Sequence, residues 1–386
     1  MFYNGNWVDS FPDNYQWSNA TLVTKGMAPY GAVALAEIDE IVQRLHERAN
    51  EPEAWAEEWT RVAARLERVA DKAAAEGRDA TAGNYYLRSA MYYYTGERMV
   101  EPGERKTGLY KKSLRCAHAG LQRRLSNIEL VDVPYEDTAL AAYFLRAQGV
   151  NGPAPTVVLF DGLDNCKEMS VLFAGVELSL RGFNTLAIDG PGQGESLRLR
   201  NIHSRHDYEV AGTAAFEYVD SRTDVDPQRV AIAAYSLGGY YAPRIAAFER
   251  RYAACIAWGA IYDYHATWVK RRELARTQAG KTQAASHFQI PWVLGVPDWD
   301  AAMKKLEHYT LEGVAPRIHC PTLILHGERD RLSSLETAQK LYDACGARDK
   351  TLKVFTAEDS GIEHCQADNR QVGTDYIGDW LQARLG

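Results

Sequence analysis

The 386 residues are 46% hydrophobic and 25% charged, ordinary proportions for a globular protein, and the length suits a core domain with an accessory part. A net charge of −7 without a basic block argues against nucleic acid as the main partner. No stretch approaches the roughly eighteen consecutive apolar residues of a membrane span, and Met1 to Trp7 lacks a basic-then-apolar leader. A cytoplasmic protein without a membrane partner is therefore expected. Cys116, Cys166, Cys255, Cys320, Cys345 and Cys365 form no C-x-x-C pair and no metal spacing, so reduced thiols and no metal are expected.

Residues 1–30 are rich in aromatics and turn formers, including Trp7, Phe11, Pro12, Tyr15 and Trp17, and read as an apolar arm that packs on another surface. From Ile38 to about Leu125 the pattern is helical. Trp55, Trp59, Val62, Ala63, Leu66 and Val69 recur at three- and four-residue steps and mark one apolar face. A second helix spans Ala82 to Tyr94 with Tyr85, Tyr86, Tyr92, Tyr93 and Tyr94, and a third spans Lys106 to Arg124. The tyrosines read as core and interface residues, with a substrate-lining role as the alternative. So much aromatic surface at the N-terminus sets the expectation of a homodimer or larger assembly.

At about Ser126 the texture changes to strands. Ile128 to Pro134 and Thr138 to Arg146 read as an antiparallel pair. Short apolar runs follow at 156–160, 185–188, 230–234, 254–258, 322–325 and 352–355, mostly separated by helical patterns. Unalternating strands between helices predict an α/β fold, a mostly parallel sheet with helices on both faces. The expected organisation is an N-terminal helical domain over 1–125, serving as arm, lid and dimerisation element, and a catalytic domain over 126–386. An insertion at about 264–315, with Trp268, Phe288, Trp292 and Trp299, reads as a helical cap.

The run from Val230 stops abruptly at Ser236, and two glycines and a helical pattern follow. A serine at a strand-to-helix turn with small residues two places either side is the nucleophile-elbow pattern. The flanks here are Ala234 and Gly238, so alanine stands where the pattern has its first glycine.

In open α/β sheets the ligand lies beyond the carboxyl ends of the strands. The run at 156–160 leads into Asp161-Gly-Leu-Asp-Asn-Cys-Lys-Glu168, where the N–H near Leu163 is one candidate oxyanion donor and that of Leu237 the other. The run at 185–188 leads into Asp189-Gly-Pro-Gly-Gln-Gly-Glu-Ser196. Its glycine spacing resembles a nucleotide loop, but the βαβ start and the distant acidic residue are missing, so no cofactor is expected.

The run at 322–325 leads into His326-Gly-Glu-Arg-Asp330, and the next leads to His364, the only histidine after Asp330. Nucleophile, acid and base thus follow in the order Ser236, Asp330, His364. His326 reads as structural, and Glu328 and Asp263 are weaker candidates for the acid.

These motifs resemble the α/β-hydrolase superfamily over roughly 126–386. More narrowly, they resemble the group with an N-terminal helical domain that includes 2,6-dihydroxypseudooxynicotine hydrolase, the fungal yellowish-green pigment polyketide hydrolases and the fermentation-respiration switch esterases. The resemblance rests on Gly162-Leu-Asp-x-x-Lys-Glu168, Asp189 to Ser196, Tyr235-Ser-Leu-Gly-Gly239 and Glu363-His-Cys365. In carbon–carbon-cleaving members a glutamate follows the Gly-Leu pair and assists catalysis, and the matching residue here is Asp164, one methylene shorter.

The favoured function is C–C hydrolysis of an aryl or polyketide-like ketone, a small-molecule substrate. Carboxylesterase activity is the alternative, and a non-catalytic ligand-binding protein on the same scaffold the third. Beside an oxyanion donor, Asp164 must be protonated, turned toward a cation such as Lys167, or used to bind a substrate hydroxyl. If protonated, it is a further catalytic residue; if turned, it is a turn aspartate capping the next helix.

Overall fold

The computed structural model describes residues 6–49, 51, 53–277 and 286–386. The chain divides into two compact units, Met1–Ile128 with Glu273–Gln289, and Glu129–Arg272 with Ile290–Gly386. The segment expected as a cap is split between the two, and its residues 278–285 lie outside the described residues.

The first unit is built from α1 (Tyr15–Lys25), α2 (Leu35–Glu47), α3 (Ala54–Ala75), α4 (Asp79–Glu97) and α5 (Glu104–Arg124). The stripe on α3 is buried through Trp55, Trp59, Val62, Ala63, Leu66, Ala70 and Ala73. Val69, expected on that stripe, is exposed, because the face continues through Ala70 instead. Phe11 and Tyr15 are buried within the unit, with Phe11 stacked on His46 and Trp17 against Trp55. Tyr86, Tyr92, Tyr93 and Tyr94 are buried as well. The aromatic surface that suggested a second subunit is thus largely covered by its own chain, and Trp7 is the exposed exception among the arm's described aromatics named above. Lys106 and Glu97 form a buried ion pair at 2.6 Å, and the Lys106 ammonium also donates to the carbonyls of Glu97 and Val100, closing the end of α4.

The second unit holds an eight-stranded sheet of β1 (Ile128–Tyr135), β2 (Thr138–Leu145), β3 (Ala154–Phe160), β4 (Asn184–Ile188), β5 (Val225–Tyr235), β6 (Ala254–Trp258), β7 (Thr322–Gly327) and β8 (Lys350–Phe355). The order is β1-β2-β4-β3-β5-β6-β7-β8. The β2–β4 pair is antiparallel, and β4, β3, β5, β6, β7 and β8 run parallel. Every residue of β3, β4, β6 and β7 is buried, which requires cover on both faces because successive side chains point to opposite sides.

That cover comes from α6 (Lys167–Ser170), α7 (Val176–Leu180), α8 (Gly194–Arg198), α9 (Glu209–Asp220), α10 (Gly238–Phe248) and α14 (Leu335–Ala344), and the chain also forms α11 (Tyr264–Thr277), α12 (Gln289–Leu294), α13 (Trp299–Leu306) and α15 (Arg370–Leu385). A π-helical stretch, Val171–Gly175, joins α6 to α7. No described helix is long and apolar enough to cross a membrane. The six cysteines are free thiols.

From β3 the chain passes to β4 on one side, then returns to β5 on the other. That reversal opens a crevice beyond the carboxyl ends of β3 and β5. In register Phe160 lies beside Ala234, so the loop after β3 and the turn after β5 emerge at the same level.

Candidate active site

Ser236 leaves β5 with φ +62°, a left-handed conformation that costs about 1–3 kcal/mol in a non-glycine residue. The cost is borne by packing on all sides. A Cβ on Gly162 would lie 2.6 Å from Ser236 Cβ, one on Gly238 2.6 Å from Ala234 Cβ, and one on Gly239 2.3 Å from the Gly259 carbonyl. Ala234 therefore fits in place of the elbow's first glycine because position 238 carries no side chain. The Ser236 N–H is spent on the Trp258 carbonyl at 2.8 Å, in line with the β5–β6 ladder.

His364 sits beyond β8 in a short turn where Cys365 and Gln366 both have positive φ. Its Nε2 is 2.8 Å from Ser236 Oγ, and its Nδ1 is 2.6 Å from Asp330 Oδ2. Asp330 follows β7, and its Oδ1 accepts the N–H groups of Leu332 and Ser333, both at 2.8 Å. These bonds fix the imidazole with Nδ1–H toward the carboxylate and the Nε2 lone pair toward the hydroxyl. Burial works against both charged forms, yet the pair overrides it. Asp330 is held below the usual carboxylate range, and its negative charge raises His364 above the usual imidazole value.

His326 is wholly buried; its Nε2–H donates to the Ser333 carbonyl at 2.9 Å, and burial lowers its pKa. It buttresses the Asp330 turn. Glu328 accepts the Ala357 N–H, and Asp263 caps the first turn of α11 at Ala266, so both are engaged elsewhere.

Leu237 stands at the N-terminal end of α10, and Leu163 follows the Gly162 that presses on Ser236. Neither N–H has an acceptor among the described residues. Such groups beside a nucleophile can receive an anionic oxygen.

Asp164 is buried in a left-handed conformation, φ +49°. Its cation is not Lys167 but Arg198, whose guanidinium donates to the Asp164 carbonyl at 3.0 Å and lies 3.4 Å from Oδ2, over the Trp292 ring. Lys167 instead pairs with Asp189 at 2.9 Å and with Glu195 and Glu168 at 3.2 Å. Nor does Asp164 cap the following helix. That position is Cys166, and the Lys167 N–H is taken by Asp189 Oδ1 at 2.6 Å.

Sequence reasoning missed the roles of Asp189 and Gln193. The glycine-rich turn carrying them was visible, but their partners lie on another loop. Asp189 also accepts the Glu195 N–H, so one carboxylate holds the starts of α6 and α8 together. Asp161 is buried against Asp189 and Glu168, and burial first, then these like charges, hold its carboxyl well above the usual range.

A model of the FrsA-like esterases matches residues 48–282, and one of the S33 serine aminopeptidase family matches 291–358. The chain is 27% identical over 339 residues to the hydrolyase poxO of Penicillium oxalicum, covering 77% of this chain and 79% of that one. It is 29% identical over 300 residues to 2,6-dihydropseudooxynicotine hydrolase of Paenarthrobacter nicotinovorans, covering 75% of each. The solved 2,6-dihydroxy-pseudo-oxynicotine hydrolase superposes with a TM-score of 0.76 at 23% identity, over 93% of this chain and 95% of that one, and shares the fold.

Proposed function

The chain belongs to the FrsA-like esterase family of α/β-hydrolases, and from that premise we propose that it is a serine hydrolase cleaving a C–C bond in an aryl or polyketide-like ketone. The observation that carries the serine-hydrolase reading is the hydrogen-bonded chain Ser236–His364–Asp330 at the strand ends, beside two N–H groups without acceptors among the described residues, and the likeness to 2,6-dihydropseudooxynicotine hydrolase supports the carbon–carbon bond.

His364 takes the Ser236 proton as Oγ attacks the substrate carbonyl, and Asp330 stabilises the imidazolium. The N–H groups of Leu237 and Leu163 hold the tetrahedral oxyanion. Collapse of that intermediate breaks the bond to the leaving carbon. The electron pair departs into an electron-rich ring or enolate, and the carbon takes its proton from the His364 imidazolium. Water, deprotonated by His364, then hydrolyses the acyl group from Ser236.

The Arg198–Asp164 pair favours a second reading. With Asp164 engaged by Arg198, His364 is left as the proton donor for a leaving carbon, and an activated ester, whose leaving oxygen departs without a proton, is the rival substrate. The decisive experiment sets a panel of acyl-phenols beside a panel of p-nitrophenyl esters, with Ser236→Ala as control. That variant is expected to fold normally and lose turnover by roughly 10⁴–10⁶. Retention of a tenth of wild-type activity would remove Ser236 as nucleophile, and turnover of esters alone would move the assignment to a carboxylesterase.

A further inference from the structure

The turn Asp189–Ser196 has no part in the chemistry above, yet its one uncharged, long polar side chain reaches the strand end that faces the nucleophile. Gln193 is almost wholly buried. Its Oε1 accepts the Gly190 N–H at 2.9 Å, and because that partner only donates, the orientation of the amide is forced. The Nε2 group therefore points the other way and donates to two successive carbonyls, Asp161 at 2.5 Å and Gly162 at 3.3 Å.

The second of these matters most. The carbonyl of Gly162 and the N–H of Leu163 belong to one planar peptide unit, and no described peptide bond is cis, so the two point in opposite directions. A donor that holds the carbonyl on one side fixes the N–H on the other. The same unit is pressed against Ser236, since a Cβ on Gly162 would fall 2.6 Å from Ser236 Cβ and 3.1 Å from Oγ.

The base of Gln193 is equally fixed. A Cβ on Gly194 would lie 2.2 Å from the Asp189 carboxylate, which is itself tied to the Lys167 and Glu195 N–H groups at 2.6 and 2.8 Å. The Gly194 N–H returns to the Asn165 carbonyl at 2.7 Å, on the far side of the same loop.

We propose that Gln193 is a positioning residue that aims the Leu163 N–H at the oxyanion formed on attack by Ser236. The inference rests on the serine-hydrolase reading above. Gln193 touches neither substrate nor nucleophile; it acts through the Gly162–Leu163 peptide. A misplacement near 1 Å of such a group costs on the order of a hundredfold in rate.

The test replaces Gln193 by Glu, which keeps the acceptor for Gly190 but sets an oxygen against both carbonyls, and by Asn, which keeps the amide but shortens its reach. Rates are measured on a p-nitrophenyl ester and on its thionoester, per active site counted with a fluorophosphonate. A thionoester places sulfur where the oxyanion would stand and gains little from well-aimed N–H donors. The expected result is a tenfold to hundredfold fall in kcat on the oxygen ester, with KM within about threefold. The oxygen-to-sulfur rate ratio should fall in proportion in the Glu variant and partway in the Asn variant. Because a ratio is independent of how much protein folds, a merely structural role would leave it unchanged. A wild-type ratio in both variants overturns the proposal. Ser236→Ala run in parallel separates the premise: if it keeps turnover, the nucleophile assignment fails on its own account, whatever Gln193 does.

Discussion

The packing of the β3 loop against Ser236 is the site's sharpest test. Gly162→Ala adds a methyl group that meets Ser236 Cβ at 2.6 Å and the Tyr235 carbonyl at 3.0 Å, where ordinary contact begins at 3.4 Å. The loop and the elbow must therefore separate by about 0.8 Å. Neither wall yields readily. Ser236 is pinned by its N–H bond to Trp258, and the loop by Gln193. A shift of that size in reacting groups corresponds to a rate loss of about a hundredfold, and overpacking of this kind costs about 1–3 kcal/mol in stability. The assay is kcat/KM on an activated ester per titrated site, with thermal unfolding beside it. Gly108→Ala is the control. That glycine lies within α5 with open space about it, so the same methyl should stabilise by about 0.4–1 kcal/mol and leave activity unchanged. Gly162→Ala with activity within twofold of wild type and an unchanged melting temperature would refute the placement of the β3 loop against Ser236.

Asp330→Asn should lower turnover by about 10⁴ and move the acid limb of the kcat/KM profile to lower pH. In the proposed role of base His364 must be neutral; burial lowers its pKa and the Asp330 charge raises it, so with that charge gone burial pulls the value down against the smaller upward pull of Cys365; a limb that stayed in place would show that Asp330 does not set it. Asp164→Asn should sharply reduce cleavage of a ketone and spare an activated ester, if Asp164 serves a carbon leaving group; equal effects in the two assays would favour the esterase. Lys167→Met should cost about 3–5 kcal/mol in urea unfolding at neutral pH, because Asp189 and Glu168 are left buried without their cation. That deficit should narrow as the pH falls and Asp189, whose carboxyl burial pushes up to about 6, gains its proton, and a constant deficit would point to lost packing alone.

Much of the fold is written locally. Apolar runs such as Thr156–Phe160 and Ala254–Trp258 are too short and too unalternating for anything but strands covered on both faces, and helical patterns between most of them leave a parallel sheet. The order of Ser236, Asp330 and His364 is legible for the same reason, since each ends or closely follows a strand. A parallel sheet delivers all its carboxyl ends to one edge, where the structure brings the three side chains within hydrogen-bonding distance.

Partner choice is another matter. Asp164 has Lys167 three residues away, yet pairs with Arg198, 34 residues on, because the left-handed turn at Asp164 meets the C-terminal end of α8. Lys167 is drawn instead to Asp189, because the β3–β4 register brings the end of β4 level with the start of the loop that leads to Lys167. Gln193 reads in sequence as one more residue of a glycine-rich turn, and only the neighbouring loop turns it into a clamp. The arm's aromatics show the same limit: their composition announces that they seek cover, but only the packing of α1, α2 and α3 decides that their own chain buries Phe11 and Tyr15, half-buries Trp17 and leaves Trp7 exposed. Periodicity and strand endings depend on neighbours a few residues apart, so the sequence by itself determined them. Which charge meets which, and what covers an apolar face, depends on loops brought together from distant positions, and that only the tertiary structure decided.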